Sequence, residues 1–181
     1  IRFAISKGAE YVWILNNDTI VGKDALSVLV DAARESGKAL LSPLILTPSG
    51  KTWFSAGKID FIRMRSVHAD PDVASREHEP YETGYLTGCA LFAPKEVFEA
   101  AGLFDERFFL YYEDADFSLR AKKTGYRLLV VPKSVVVHGE QSVDNPEKVY
   151  WLVLSGLRFF EEHTPWYLHL WMQLYILLRK M

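Results

Sequence analysis

Residues 11–19, "YVWILNNDT", constrain the fold more than any other part of the chain. The apolar run Tyr11–Leu15 is too short for a buried helix. It reads as a strand of the kind that a parallel sheet covers on both faces. The run stops at Asn16-Asn17-Asp18, and the following "KDALSVLVDAARESG" carries apolar residues at Ala25, Leu26, Leu29, Val30 and Ala33. That i, i+3, i+4 spacing predicts an amphipathic helix, with Gly37 where a C-cap belongs. Upstream, "IRFAISKGA" reads as the end of a helix, with Gly8 at its C′ position. Helix, strand, polar loop, helix and a second strand at Ala39–Leu46 predict an α/β sandwich.

Further along, two short strands at 52–57 and 59–65 are expected to pair as a hairpin turning near Gly57-Lys58. Residues 67–82 have no periodicity, two prolines and many charges, which suits a long surface loop able to act as a lid. "YLTGCALFAP" reads as a strand interrupted by Gly88, and Pro94 opens the helix "KEVFEAAG". A helix over 113–124 ends at Gly125. "YRLLVVP" and "SVVVH" read as two last strands. A helix over 144–163 follows, and Pro165 separates it from an apolar helix over 166–180. The expected division is 1–143 as the main unit and 144–181 as a helical extension.

The final helix has about 13 residues between Trp166 and Leu178, broken by His169 and Gln173, against the ~20 apolar residues that a membrane span requires. It suits a membrane surface, a second copy of the chain, or docking on its own domain. A net charge of −2 gives no electrostatic footprint for nucleic acid. The single cysteine, Cys89, excludes a disulfide within the chain and fits a reducing compartment. No signal-peptide pattern occupies residues 1–20, so a cytoplasmic location, extending to the inner face of a membrane, is expected. The start at Ile1, inside a helical segment, reads as a piece of a longer protein.

Three polar groups follow apolar strands or open a helix, and ligands of open α/β sheets gather beyond the strands' carboxyl ends. Asn16-Asn17-Asp18 offers a carboxylate and amide oxygens to a hard divalent ion, or forms an ordinary Asx turn. Glu113, Asp114 and Asp116 crowd a helix N-terminus, where carboxylates serve as caps; Asp114 also suits a general base. Asp116 and Arg120, four residues apart, are expected to pair on the helix surface. His138 ends the last strand, either as a structural residue or as a further ligand beside Asp18.

Taken together, "WILNNDT", "GYLTGCALFAPKEVFEAAGLFDERFFLYYEDADFSLRAKKTGYRL" and "VVVHGEQS" resemble the inverting family-2 glycosyltransferases of GT-A fold, the rhamnosyltransferase-like members in particular. The resemblance runs from Ile1 to about His163. It implies a mixed, Rossmann-like sheet flanked by helices, with C-terminal helices appended and an N-terminal nucleotide-binding portion lying before Ile1. It places Asn16 and Asp18 at the family's Asp-x-Asp position, with Asn16 in place of the usual first acid and Asn17 beside them. Asp18 and His138 then hold Mn2+ or Mg2+, Asp114 is the base and Glu113 its acidic partner. Gly88 and Cys89 fall in the loop near donor sugar and acceptor.

The implied reaction transfers a sugar from a nucleotide-sugar donor to a glycan or lipid-linked acceptor hydroxyl, as in polysaccharide and cell-wall synthesis. Two other classes stay open: a non-catalytic interaction or carbohydrate-binding module, and a metal-dependent enzyme that hydrolyses the diphosphate.

Overall fold

The computed structural model describes residues 1–69, 77–139 and 146–180. After a short helix α1 (Arg2–Ser6), strand β1 (Tyr11–Leu15) is followed by β2 (Thr19–Val21) and helix α2 (Ala25–Ser36). Strands β3 (Ala39–Leu46), β4 (Thr52–Phe54), β5 (Gly57–Asp60), β6 (Arg65–His68), β7 (Tyr81–Glu82) and β8 (Ala90–Pro94) come next. The chain then runs through α3 (Lys95–Ala100), α4 (Glu113–Lys123), β9 (Arg127–His138) and α5 (Pro146–His163). A 3-10 turn, Trp166–Leu168, leads into α6 (His169–Lys180).

The main sheet is mixed, in the order β1-β8-β3-β9-β2, with β4 on β3 and β7 on β9. Among the described residues only β3 and β9 are parallel neighbours. Side chains of β3 alternate across the sheet as far as the irregularity between Pro43 and Leu44, after which the parity changes. Leu41 joins Leu29, Ala32 and Ala33 of α2 in one core. Leu40 and Ile45 join the larger core, which takes Val97 from α3, Phe117 and Ala121 from α4, Phe159 and Phe160 from α5, and Met172 from α6. The sheet is thus covered on both faces, and the predicted α/β sandwich of mixed strands is the observed one.

Four local expectations change. Strand β1 is not the doubly covered parallel strand that its apolar run suggests. Among the described residues it is an edge strand, antiparallel to β8, and within it only Val12 is fully buried. The hairpin pairs β5 with β6, so its turn lies at 61–64 and not at Gly57-Lys58. Asp60 makes that turn by accepting hydrogen bonds from the Ile62 and Arg63 N–H groups at 3.1 and 2.9 Å. Val67 and His68 therefore belong to a strand, while the central part of the proposed lid, 70–76, lies outside the described residues.

The last two predicted strands are a single one, β9, that passes through Pro132. Val131 pairs with Pro43 and Val135 with Leu44, so residues 132–134 bulge out of the ladder. A bulge is where a sheet tolerates proline, because no ladder N–H is required there.

The final helix docks on its own domain, one of its three expected roles. Met172 is buried, and Trp171 Nε1–H and the Tyr175 hydroxyl donate to the Ile62 and Arg63 carbonyls at 2.8 and 3.0 Å. Its other face exposes Trp166, Leu170 and Leu177. No helix among the described residues is long and apolar enough to cross a membrane.

Candidate active site

Strand β2 brings the first and third groups together. Thr19 lies opposite His138 in the antiparallel β2–β9 ladder, and the Gly139 N–H donates to the Asp18 carbonyl at 2.8 Å. Asp18 Oδ1 is consequently 3.2 Å from His138 Nε2. Asn16 Nδ2 stands 3.5 Å from the same nitrogen. A turn does lie here, but a backbone turn and not the Asx turn expected: the Thr19 N–H and Oγ1 both donate to the Asn16 carbonyl, at 3.3 and 2.7 Å. Turn and site are therefore one feature. Gly22 allows the two strands to meet, since a Cβ there would sit 2.7 Å from the Val135 carbonyl oxygen. His138 is buried and packs edge-on against Trp53 with ring centroids 4.5 Å apart. Its Nδ1 has no hydrogen-bond partner among the described residues.

The acidic group opens α4 after an unusual turn. Tyr111 and Tyr112 both lie in the left-handed region, at φ 66° and 67°. Each costs on the order of 1 kcal/mol or more for a non-glycine residue. Packing holds them: the Tyr112 ring lies 5.1 Å from Phe159 and fits against Gly156, where a Cβ would come within 3.1 Å of Tyr112 Cε2. Asp114 then accepts hydrogen bonds from the Gly88 N–H at 2.9 Å and the Ala115 N–H at 2.7 Å, one on each oxygen. Burial raises its pKa above the ordinary carboxylate value, against those backbone donors and the nearby His68, which lower it.

Glu113 is pushed up to about 7, first by burial and then by the charge of Asp114, and its buried Oε2 has no hydrogen-bond partner among the described residues. The folded state therefore holds a proton that the unfolded chain releases above its ordinary value of 4.5, and stability falls as pH rises from there to about 7. Glu113→Gln is expected to be about 2 kcal/mol more stable than wild type at pH 8 and nearly equal to it at pH 5. Urea unfolding at the two pH values checks this, and a gain of equal size at both would refute it.

Asp116 does not pair on the surface. It is buried, with Arg120 Nε at 2.8 Å from one carboxylate oxygen and His163 Nε2 at 2.8 Å from the other. Arg120 also donates to the Ala101 and Leu103 carbonyls, tying down the loop before α4. Asp116, Glu162 and His163 lie close enough together to suggest a metal group. Arg120 already occupies Asp116, and Arg107 occupies Glu162 at 2.8 Å, so two guanidinium charges stand where a cation would bind. The trio reads as an ion-pair network joining α4 to α5.

A cleft of about 540 Å³ joins the other groups: Asn16, His138, Gly88, Cys89, Glu113 and Asp114 all line it. The Asn16 N–H donates to the Cys89 carbonyl at 2.9 Å, which carries the β1–β8 ladder into the cleft. Asp18 reaches it through His138, whereas Asn17 is exposed and does not line it. Trp53, His68, Tyr85, Tyr111 and Tyr112 also form its walls and were not expected from the sequence. His68 was hidden by the misplaced hairpin turn. The "YY" before the acidic run was the available signal for Tyr111 and Tyr112.

Comparison with known proteins gives the family and the fold. The model of the glycosyl transferase family group 2 matches residues 11–177. The N-acetylglucosaminyl-diphospho-decaprenol L-rhamnosyltransferase of Mycobacterium tuberculosis is 31% identical over 71% of this chain and 47% of its own length. A low-salt glycan biosynthesis hexosyltransferase of Haloferax volcanii is 27% identical over 68% of this chain and 40% of its own. The chain thus spans about half the length of these relatives. The crystal structure of GalNAc-T7 with UDP, GalNAc and Mn2+ superposes with a TM-score of 0.61 at 21% identity, covering 80% of this chain and 31% of that one. The shared fold is GT-A-like.

Proposed function

The chain belongs to glycosyl transferase family group 2, and on that premise we propose that it performs metal-dependent, inverting transfer of a sugar from a nucleotide-sugar donor to a glycan or lipid-linked hydroxyl. The observation that carries this reading is Asp114, held by two backbone N–H groups in the cleft that His138 also lines. Asp114 is oriented by these N–H groups and forms no ion pair among the described residues, so its raised pKa makes it a stronger base toward a hydroxyl proton. In the proposed step the acceptor oxygen bonds to the anomeric carbon as the bond to the diphosphate breaks, and Asp114 takes the hydroxyl proton. Glu113 and Asp114 are adjacent and both raised, so they take up protons as a pair, and aromatic side chains wall the cleft around them.

The Asp18–His138 pair fits a divalent ion. The 3.2 Å between its ligand atoms is close to the ~3 Å expected of two neighbouring ligands at ordinary metal–ligand lengths. Rotating the Asn16 amide would turn its oxygen to the same place. Manganese or magnesium bound there would offset charge on the departing diphosphate. L-rhamnose, named for the M. tuberculosis relative, is the first sugar to test. The proposed place of action is the cytoplasmic face of a membrane.

The test is transfer assayed with a panel of nucleotide sugars, with Mn2+, Mg2+ or a chelator, and the product anomer read by NMR. Asp18→Ala is expected to lower kcat/KM by about 100-fold and to raise the metal concentration needed for half-maximal rate. Full activity in chelator refutes the metal assignment. Release of free sugar without transfer would instead favour a hydrolase.

A further inference from the structure

A second, apolar cavity of about 450 Å³ adjoins the cleft, and Ser66, Tyr112 and Leu152 line both. It runs between the β5–β6 hairpin and helices α5 and α6, with Met64, Arg65, Val153, Leu157 and Ile176 on its walls. These walls are fixed in place. Trp171 and Tyr175 of α6 are hydrogen-bonded to the Ile62 and Arg63 carbonyls at the hairpin turn. The Ser66 N–H donates to the Tyr112 hydroxyl at 3.4 Å where cleft and groove meet.

Two properties narrow the occupant. Leu152 and Val153 are 45% and 54% exposed, so the groove leaves aliphatic surface in water that a hydrocarbon would cover. Arg65 lies on the same wall with its side chain 55% exposed, and its contact with Asp60 is long at 4.0 Å, leaving the guanidinium able to meet an anion. Apolar wall, cation and continuity with a sugar-transfer cleft match one amphiphile: a sugar at Asp114, a phosphate at Arg65 and a hydrocarbon chain beyond. A concave slot suits such a chain better than the broad face of a second copy.

We propose that this groove binds the hydrocarbon tail of a lipid-linked acceptor, with Arg65 facing its phosphate. The assignment rests on the sugar-transfer reading of the cleft and adds the acceptor's class and direction to it. Sugar lies at the α4 N-terminus, and the tail runs between the hairpin and α5 toward Ile176 of α6.

Calorimetric titration with farnesyl diphosphate, pyrophosphate and farnesol tests it without a sugar donor. Farnesyl diphosphate is expected to bind at least about tenfold more tightly than pyrophosphate, because only it buries hydrocarbon. Val153→Glu is expected to weaken farnesyl diphosphate by about tenfold or more and to leave pyrophosphate unchanged. Arg65→Ala should weaken farnesyl diphosphate and spare farnesol. Equal affinity for farnesyl diphosphate and pyrophosphate overturns the proposal, as does an unaltered Val153→Glu protein. So does a Val153→Glu variant that turns a dimer into a monomer with farnesyl diphosphate binding intact, since the groove is then a contact between copies. Tail binding that survives Asp114→Asn supports the groove independently of catalysis. Transfer to a water-soluble glycan acceptor without any farnesyl diphosphate binding refutes the groove and leaves the transferase reading standing.

Discussion

Asp114→Asn is expected to lower the rate of sugar transfer by about 10³-fold, within the range that a positioned general base contributes. The amide is nearly the same size, and its oxygen can still accept from the Gly88 or Ala115 N–H groups that hold the carboxylate. What it loses is the ability to take a proton. Donor affinity should change little, because the donor's proposed contacts lie at Asp18 and His138. The expected pattern is therefore a fallen kcat beside a steady donor KM, with a thermal midpoint within a few degrees of wild type. Undiminished transfer by this variant would sink the assignment and favour a non-catalytic binding module. Below neutral pH the wild-type rate should also decline, since both carboxyls are held above their ordinary values and the base is withdrawn as the pair takes up protons.

Asp116→Ala is expected to cost about 3 to 5 kcal/mol of stability, the range for removing one partner of a buried ion pair. The substitution strands Arg120 and His163 together, each having lost a partner at 2.8 Å. It also loosens the Arg120 contacts to the Ala101 and Leu103 carbonyls, which shape the approach to Tyr111 and Tyr112. Burial raises the Asp116 pKa, but His163 and Arg120 outweigh it, and the net effect is a lowered value. The stability it contributes is thus present above its ordinary 3.8 and lost as pH falls through the lowered folded value. Urea unfolding should show a wide gap between variant and wild type at pH 7 that narrows in acid. A loss under about 1 kcal/mol at pH 7 would mean that the network carries little.

Both residues stand in the same eleven-residue helix, yet they were unequally legible from sequence. The crowded acids and the closing Gly125 locate α4 itself, because dipole and capping rules act locally. Those rules are silent on partners. Nothing in "EDADFSLR" says that His163, 47 positions later, closes over Asp116. The Asp18–His138 pair shows the same limit. Strand β2 has three residues, two of them exposed, and so carries no alternation to detect. Its pairing with β9 is nevertheless what sets Asp18 beside His138. Gly57 invited a turn that the chain makes four residues later through the Asp60 side chain. Strand ends and a helix start singled out Asp18, Asp114 and His138, and family resemblance added their implied roles, but neither extended to Trp53, His68 or the apolar groove.

The bulge in β9 gives the site an arithmetic of its own. Three residues, 132–134, stand outside the β3 ladder between Val131 and Val135, and His138 follows three positions after the pairing resumes. Side chains on a strand alternate, so the parity of this interval decides which face His138 presents. Removing or adding one residue at Lys133 would turn the imidazole to the opposite side of the sheet, or drag Val136 out of the core to avoid it. Within the bulge Ser134 is itself fixed, buried with its hydroxyl donating to the Ala25 carbonyl at 3.0 Å, so both the length of the segment and this side chain hold the imidazole in place.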